Sequence, residues 1–208
     1  MTRKIDPATL IPVEELPALR AEAAAQAEVN LDRMNAKQLN TGRLGKDAIE
    51  IVRGPGTQRV RYNKLVKLVD KASVEIMPFT ACRKGCSYCC SIAVMVTGME
   101  AKRIGEVIKR KPAKVEGVRE PGDLEALQEK YFDVPCTFLK AGRCSIYEHR
   151  PLACRLHFNM ADNPLFCSTK IAPQNSLVPA LNLQGVDKAL FLLTLGEPLA
   201  DIRDFFPK

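Results

Sequence analysis

Eight cysteines in two clusters constrain this 208-residue chain more than any other feature. Four fall within nine residues, as CRKGCSYCC (Cys82, Cys86, Cys89, Cys90), and four within thirty-two (Cys136, Cys144, Cys154, Cys167). Cysteines kept merely as small hydrophobes would scatter along the chain. A disulfide framework belongs to small exported domains that cannot build a core, and this chain is long enough to build one. Its start, MTRKIDPATLIPVEELPAL, is basic, but Pro12, Glu14, Glu15 and Pro17 interrupt it where a signal segment would be continuously apolar. No apolar run approaches the ~18 residues of a membrane span. The expectation is a cytoplasmic chain with reduced thiols, no membrane, and metal as the reason for the cysteines.

Thiolate rather than thiol binds metal, and soft sulfur selects zinc, copper(I) or iron–sulfur clusters over magnesium and calcium. Eight sulfurs suit two closed tetrahedral sites, or one cubane cluster with four cysteines left for a second ion or for redox chemistry. The first group has spacings i, i+4, i+7 and i+8, so on a continuous helix its sulfurs would project within about 100 degrees of one another. One face cannot surround an ion. Either Gly85 lets the backbone curl, or the second group supplies ligands across a long connection. Cys89 and Cys90, as neighbours, are expected to diverge toward different ions or different corners of a cluster. Cys136 and Cys144 flank a short hairpin that would bring them together. Arg155 follows Cys154, and Arg150 lies about one turn earlier. Two guanidiniums there would favour thiolate and donate to sulfur, which makes Arg150 and Arg155 candidate cofactor-binding residues. His149 and His157 are the only histidines. With eight thiols at hand, both are expected to support ligands or structure rather than to ligate.

Along the chain, Pro12 to about Asn40 reads as a long polar helix, with Leu16, Leu19, Ala23, Ala27, Leu31 and Met34 on one side. Residues 41–59 carry four glycines and a proline, which marks a connector rather than an element. Val60, Leu65, Leu68, Val69, Ala72 and Ile76 form a helical stripe ending before Pro78. Thr97 followed by Glu100 is a capping-box signature for the helix MEAKRIGEVIKRK. Asp123 is placed to cap LEALQEKYF, CTFLKAGRCSIY reads as a hairpin about Ala141 and Gly142, and LACRLHF and VDKALFLLTL read as helices. The expected fold is mainly α with a small β-hairpin, an irregular metal-stabilised cysteine-rich core flanked by helices. Its expected divisions are a helical extension and linker over 1–59, a cysteine-cluster domain over 60–178 and a helical segment over 179–208.

The order Cys82, Cys86, Cys89, Cys90, then PC-x-FL-x-x-G-x-C-x-IY-x-x-RP-x-x-CR from Pro135 to Arg155, resembles the YkgJ family of cysteine-cluster proteins, named for a CxxCxxCC group. The resemblance covers roughly residues 80 to 170. It includes Phe138, Leu139, Gly142, Ile146, Tyr147 and Pro151, and departs in the first spacing, CRKGC. It implies chelation of zinc or iron by the eight cysteines and assigns no reaction, although flagellin N-methylase is a relative with a similar group.

Three classes of function compete. The first is a binding or structural protein in which metal closes the cysteine-rich part. The second is an iron–sulfur redox or methyl-transfer enzyme, since Cys82, Cys86 and Cys89 have a CxxxCxxC spacing similar to radical S-adenosylmethionine enzymes. Only 118 residues follow Cys90, however, against the roughly 200 that a (β/α) barrel needs. The third is a zinc module on nucleic acid, which the +7 charge favours. Two zinc ions on eight thiolates would bring that charge down to +3, and no basic stripe interleaved with aromatics argues for nucleic acid. The N-terminal helix is the expected contact for a protein partner.

Overall fold

The protein's structure is a computed structural model that describes residues 10–83, 85–118 and 120–208. The basic start of the chain, residues 1–9, lies outside them. A short 3-10 turn, Val13–Glu15, leads into α1 (Leu16–Ala36). This helix buries Leu16, Ala23, Asn30 and Met34, while Leu31 faces solvent. Asn30 takes the inward position because its amide has partners there, donating to Met160 O at 2.9 Å and to the Asp162 carboxylate at 2.8 Å.

The expected connector is a helix, α2 (Thr41–Arg53). Asn40 caps it, its side chain accepting from Arg43 N at 3.0 Å. Gly45 is the reason for the misreading. It does not break the helix but lets it approach α7 (Gln184–Leu193), where a Cβ on Gly45 would stand 3.0 Å from Gly185 Cα. Ala48 and Val52 continue the contact into a core shared with Leu65, Val69, Leu152, Val186 and Leu193. Helix α3 (Gln58–Ile76) packs against both and stops before Pro78 as its pattern predicts.

The strand β1 (Met95–Thr97) runs straight into α4 (Gly98–Ile108) through the predicted capping box of Thr97 and Glu100. Helix α5 (Pro121–Tyr131) begins earlier than expected: Asp123 lies inside its first turn and accepts from Glu120 N at 3.2 Å, instead of preceding the helix as its cap. The hairpin β2 (Leu139–Lys140) and β3 (Arg143–Cys144) turns on Ala141 and Gly142, both at positive φ, which a tight two-residue hairpin requires. A five-residue helix, α6 (Leu152–Leu156), follows Pro151.

The chain ends in a strand β4 (Leu199–Asp201) and a short helix α8 (Ile202–Phe205). β4 pairs antiparallel with β1, Val96 opposite Ala200. The last residues thereby enter the core formed by Val96, Ala101, Ile104, Cys136, Phe138, Ile146, Ile202, Phe205 and Phe206. The fold is mainly helical with two small antiparallel sheets. Among the described residues no helix is long and apolar enough to cross a membrane.

Candidate metal centre

The first cysteine group is not one helix. Gly85 has φ 92, in the left-handed region, and reverses the backbone between Cys82 and Cys86, after which Tyr88–Ser91 forms a 3-10 turn. The second group then comes to meet it. Cys136 N donates to Cys90 O at 2.7 Å, so the two stretches are joined by backbone. The hairpin carries Cys144, α6 carries Cys154, and a cavity of about 620 Å³ opens between these elements and the loop. Cys86, Cys89, Cys90, Cys136, Cys144 and Cys154 all line it. Val94, Phe138, Ile146 and Ile202 form its apolar wall, and Arg143, Glu148 and Arg150 stand at its polar side. All eight cysteines are free thiols.

Cys82 and Cys167 lie elsewhere, around His157. Cys167 Sγ is 3.7 Å from His157 Nε2, and Cys82 Sγ donates to His157 O at 3.5 Å. His149 is exposed on the outside of the molecule and lines a different hollow, with Glu100 and Arg103.

Cys89 and Cys90 do not diverge. Adjacent on the same 3-10 turn, they share a thiol–thiol hydrogen bond that governs how both titrate. That bond is the largest influence on Cys90 and holds it below the usual thiol range; the Arg203 and Arg150 charges add to it against burial. The same bond pushes Cys89 upward, helped by burial and by the charges of Cys90, Cys154 and Cys86. Burial raises Cys136, Cys144 and Cys154, and the neighbouring sulfurs reinforce the effect. Mutual repulsion of this kind is what a metal cation would relieve.

The two candidate arginines part company. Arg150 lines the cavity, stacks over the Tyr147 ring at 3.8 Å, and bears on Cys90, Cys144 and Cys154. Arg155 is buried against α3: it pairs with Asp70 and donates to Arg150 O at 2.8 Å and Glu148 O at 2.7 Å. Its contacts brace the segment that carries Cys154.

Arg203 escaped the sequence reading. Its guanidinium donates to Cys90 O at 3.3 Å, Ile92 O at 2.9 Å and Val134 O at 2.8 Å, and forks onto the fully buried Asp201. One side chain thus ties the first cysteine turn to the segment entering Cys136. A signal was available: LADIRDFF places charges inside an otherwise apolar terminal run, which a buried pair would explain.

Among the described residues no three His, Cys, Asp or Glu side chains are already gathered as they would be around an ion. By donor chemistry the site nevertheless suits soft metal. Six thiols face one cavity, the local charge bears on them from Arg150 and Arg203, and no carboxylate other than Glu148 stands among them.

A helical scaffold thus turns the cysteines of a loop, a hairpin and a short helix toward one cavity. Residues 81–173, which hold all eight cysteines, match the family model CxxCxxCC, described as "Putative zinc- or iron-chelating domain". The YkgJ resemblance agrees with this match. Neither curated proteins nor solved structures offer a match to the chain.

Proposed function

We propose that this protein binds metal, as zinc or as an iron–sulfur cluster, through Cys82, Cys86, Cys89, Cys90, Cys136, Cys144, Cys154 and Cys167. The observation that carries the reading is the meeting of sulfurs from two distant stretches at one cavity, unpaired as disulfides. Metal held there would add cohesion to the irregular cysteine-bearing backbone, coupling metal uptake to folding. Arg150 would face the bound centre and balance thiolate charge, and Arg203 would hold Cys90 in place from behind.

Anaerobic purification followed by metal analysis and thiol titration tests this. The expected result is stoichiometric zinc or iron with the thiols protected until a chelator is added. Protein that carries no zinc or iron, takes up neither, and leaves all eight thiols reactive would overturn the reading.

The size of the cavity favours a second reading, an iron–sulfur redox or methyl-transfer enzyme. A closed four-thiolate zinc site leaves no void, whereas about 620 Å³ with an apolar wall is in the range of small-ligand pockets. A brown protein with broad visible absorption is the outcome this reading requires, and a colourless zinc protein removes it. The radical S-adenosylmethionine version has less support, since Cys82 of its three-cysteine set does not line the cavity.

A further inference from the structure

Three stretches of chain converge on His157. Cys82 N donates to Thr80 Oγ1 at 3.1 Å and Ala81 N to Asn159 O at 2.9 Å, which lays the entry to the first cysteine group alongside residues 157–159. α6 ends at Leu156, and His157, at φ −82 and ψ 90, turns the chain out of the helix. Cys167 arrives on the 3-10 turn Leu165–Cys167 and is buried.

The resulting spacing is that of ligands on one ion. With metal bonds of about 2.3 Å to sulfur and about 2.0–2.1 Å to nitrogen, a tetrahedral angle sets the two donor atoms about 3.6 Å apart. Cys167 Sγ and His157 Nε2 are 3.7 Å apart. Cys82 Sγ reaches His157 O at 3.5 Å, and its charge bears on Cys167. Asn159 Nδ2 donates to Cys167 Sγ at 3.5 Å, the outer support that metal-bound sulfur commonly has.

We infer that Cys82, Cys167 and His157 supply two sulfurs and one imidazole to a second metal site, separate from the centre in the cavity. The sequence reading expected neither histidine to ligate; for His157 this inference replaces that expectation. This inference rests on the metal-binding reading above and adds to it the number of centres and the nitrogen donor.

Cobalt(II), titrated anaerobically into the metal-free full chain, is the probe, read by its d–d and sulfur-to-cobalt absorption and by bound cobalt per chain. Two equivalents are expected for the wild type. His157→Ala should bind one fewer and lose the part of the spectrum due to mixed nitrogen–sulfur ligation. Cys154→Ser should lose the other equivalent and keep that part. His157→Cys should restore the missing equivalent with an all-sulfur spectrum, which a merely structural histidine would not do. The inference is overturned if His157→Ala keeps the wild-type stoichiometry and spectrum, or if His157→Cys fails to restore what His157→Ala loses. A wild type that takes up no cobalt sinks the metal-binding reading itself. Uptake that His157→Ala leaves unchanged spares that reading and removes only this one.

Discussion

Arg203 shows how one side chain can place a cysteine it never touches through sulfur. It spends its donors on the carbonyls of Cys90, Ile92 and Val134 and on Asp201, all at the back of the cysteine turn. Burial raises the Asp201 carboxyl, while Arg203 and the amides of Arg203 and Val94 pull it down. Removing the guanidinium would leave Asp201 buried without its cation, a change that costs about 3–5 kcal/mol for pairs of this kind. Arg203→Met is therefore expected to lower stability by about that amount in urea denaturation. The pH dependence has a definite sign. With Arg203 gone, Asp201 titrates higher in the folded than in the unfolded state, so the folded protein holds the extra proton. The variant should recover stability as pH falls through the folded value and lose it as pH rises. A deficit equal at pH 5 and pH 8 would contradict this account.

At the scale of elements, α2 and α7 are held together by two glycines. A Cβ on Gly185 would stand 2.6 Å from Gly45 Cα, a backbone atom that cannot turn aside. Replacing a helical glycine by alanine ordinarily gains up to about 1 kcal/mol. Here steric overlap wins, because forcing helices apart in a packed core costs about 1–3 kcal/mol. Gly185→Ala should lower the melting temperature, while Gly122→Ala in α5, where a Cβ would meet nothing within 4 Å, should leave it unchanged or raise it. Thermal melts of the two variants side by side decide the matter. The same glycines explain why residues 41–53 looked like a connector. Glycine is a breaker by local propensity, and only the partner helix, more than a hundred residues away, turns it into a contact. The capping box at Thr97 and Glu100 was legible for the opposite reason: its partners lie within four residues.

For the whole molecule, the buried thiols make metal binding a proton-releasing event. Cys136, Cys144 and Cys154 are raised by burial, and Cys167 is pushed up to about 12 by burial and by the charge of Cys82. Near neutral pH these thiols hold their protons, and metal must displace them. Affinity should consequently fall as pH is lowered and go on rising through the alkaline range until the thiols ionise unaided. Calorimetric titration of zinc in buffers of different ionisation heat measures the protons released. Release of fewer than one proton per zinc at pH 7 would contradict these thiol states.

From the amino-acid order alone came the cysteine chemistry, the capping box, the hairpin about Ala141 and Gly142, and the mainly helical class. Each depends on residue type or on neighbours a few positions apart. Tertiary structure alone decided the rest: that residues 41–53 are helical, that the C-terminal strand seals the cysteine core, and that Arg203 holds the first cysteine turn. It also separated Cys82 and Cys167 from the other six sulfurs and set them beside His157. Spacing along a chain limits which side chains can meet. Which ones do meet follows from how distant segments share a core, and no local pattern encodes that.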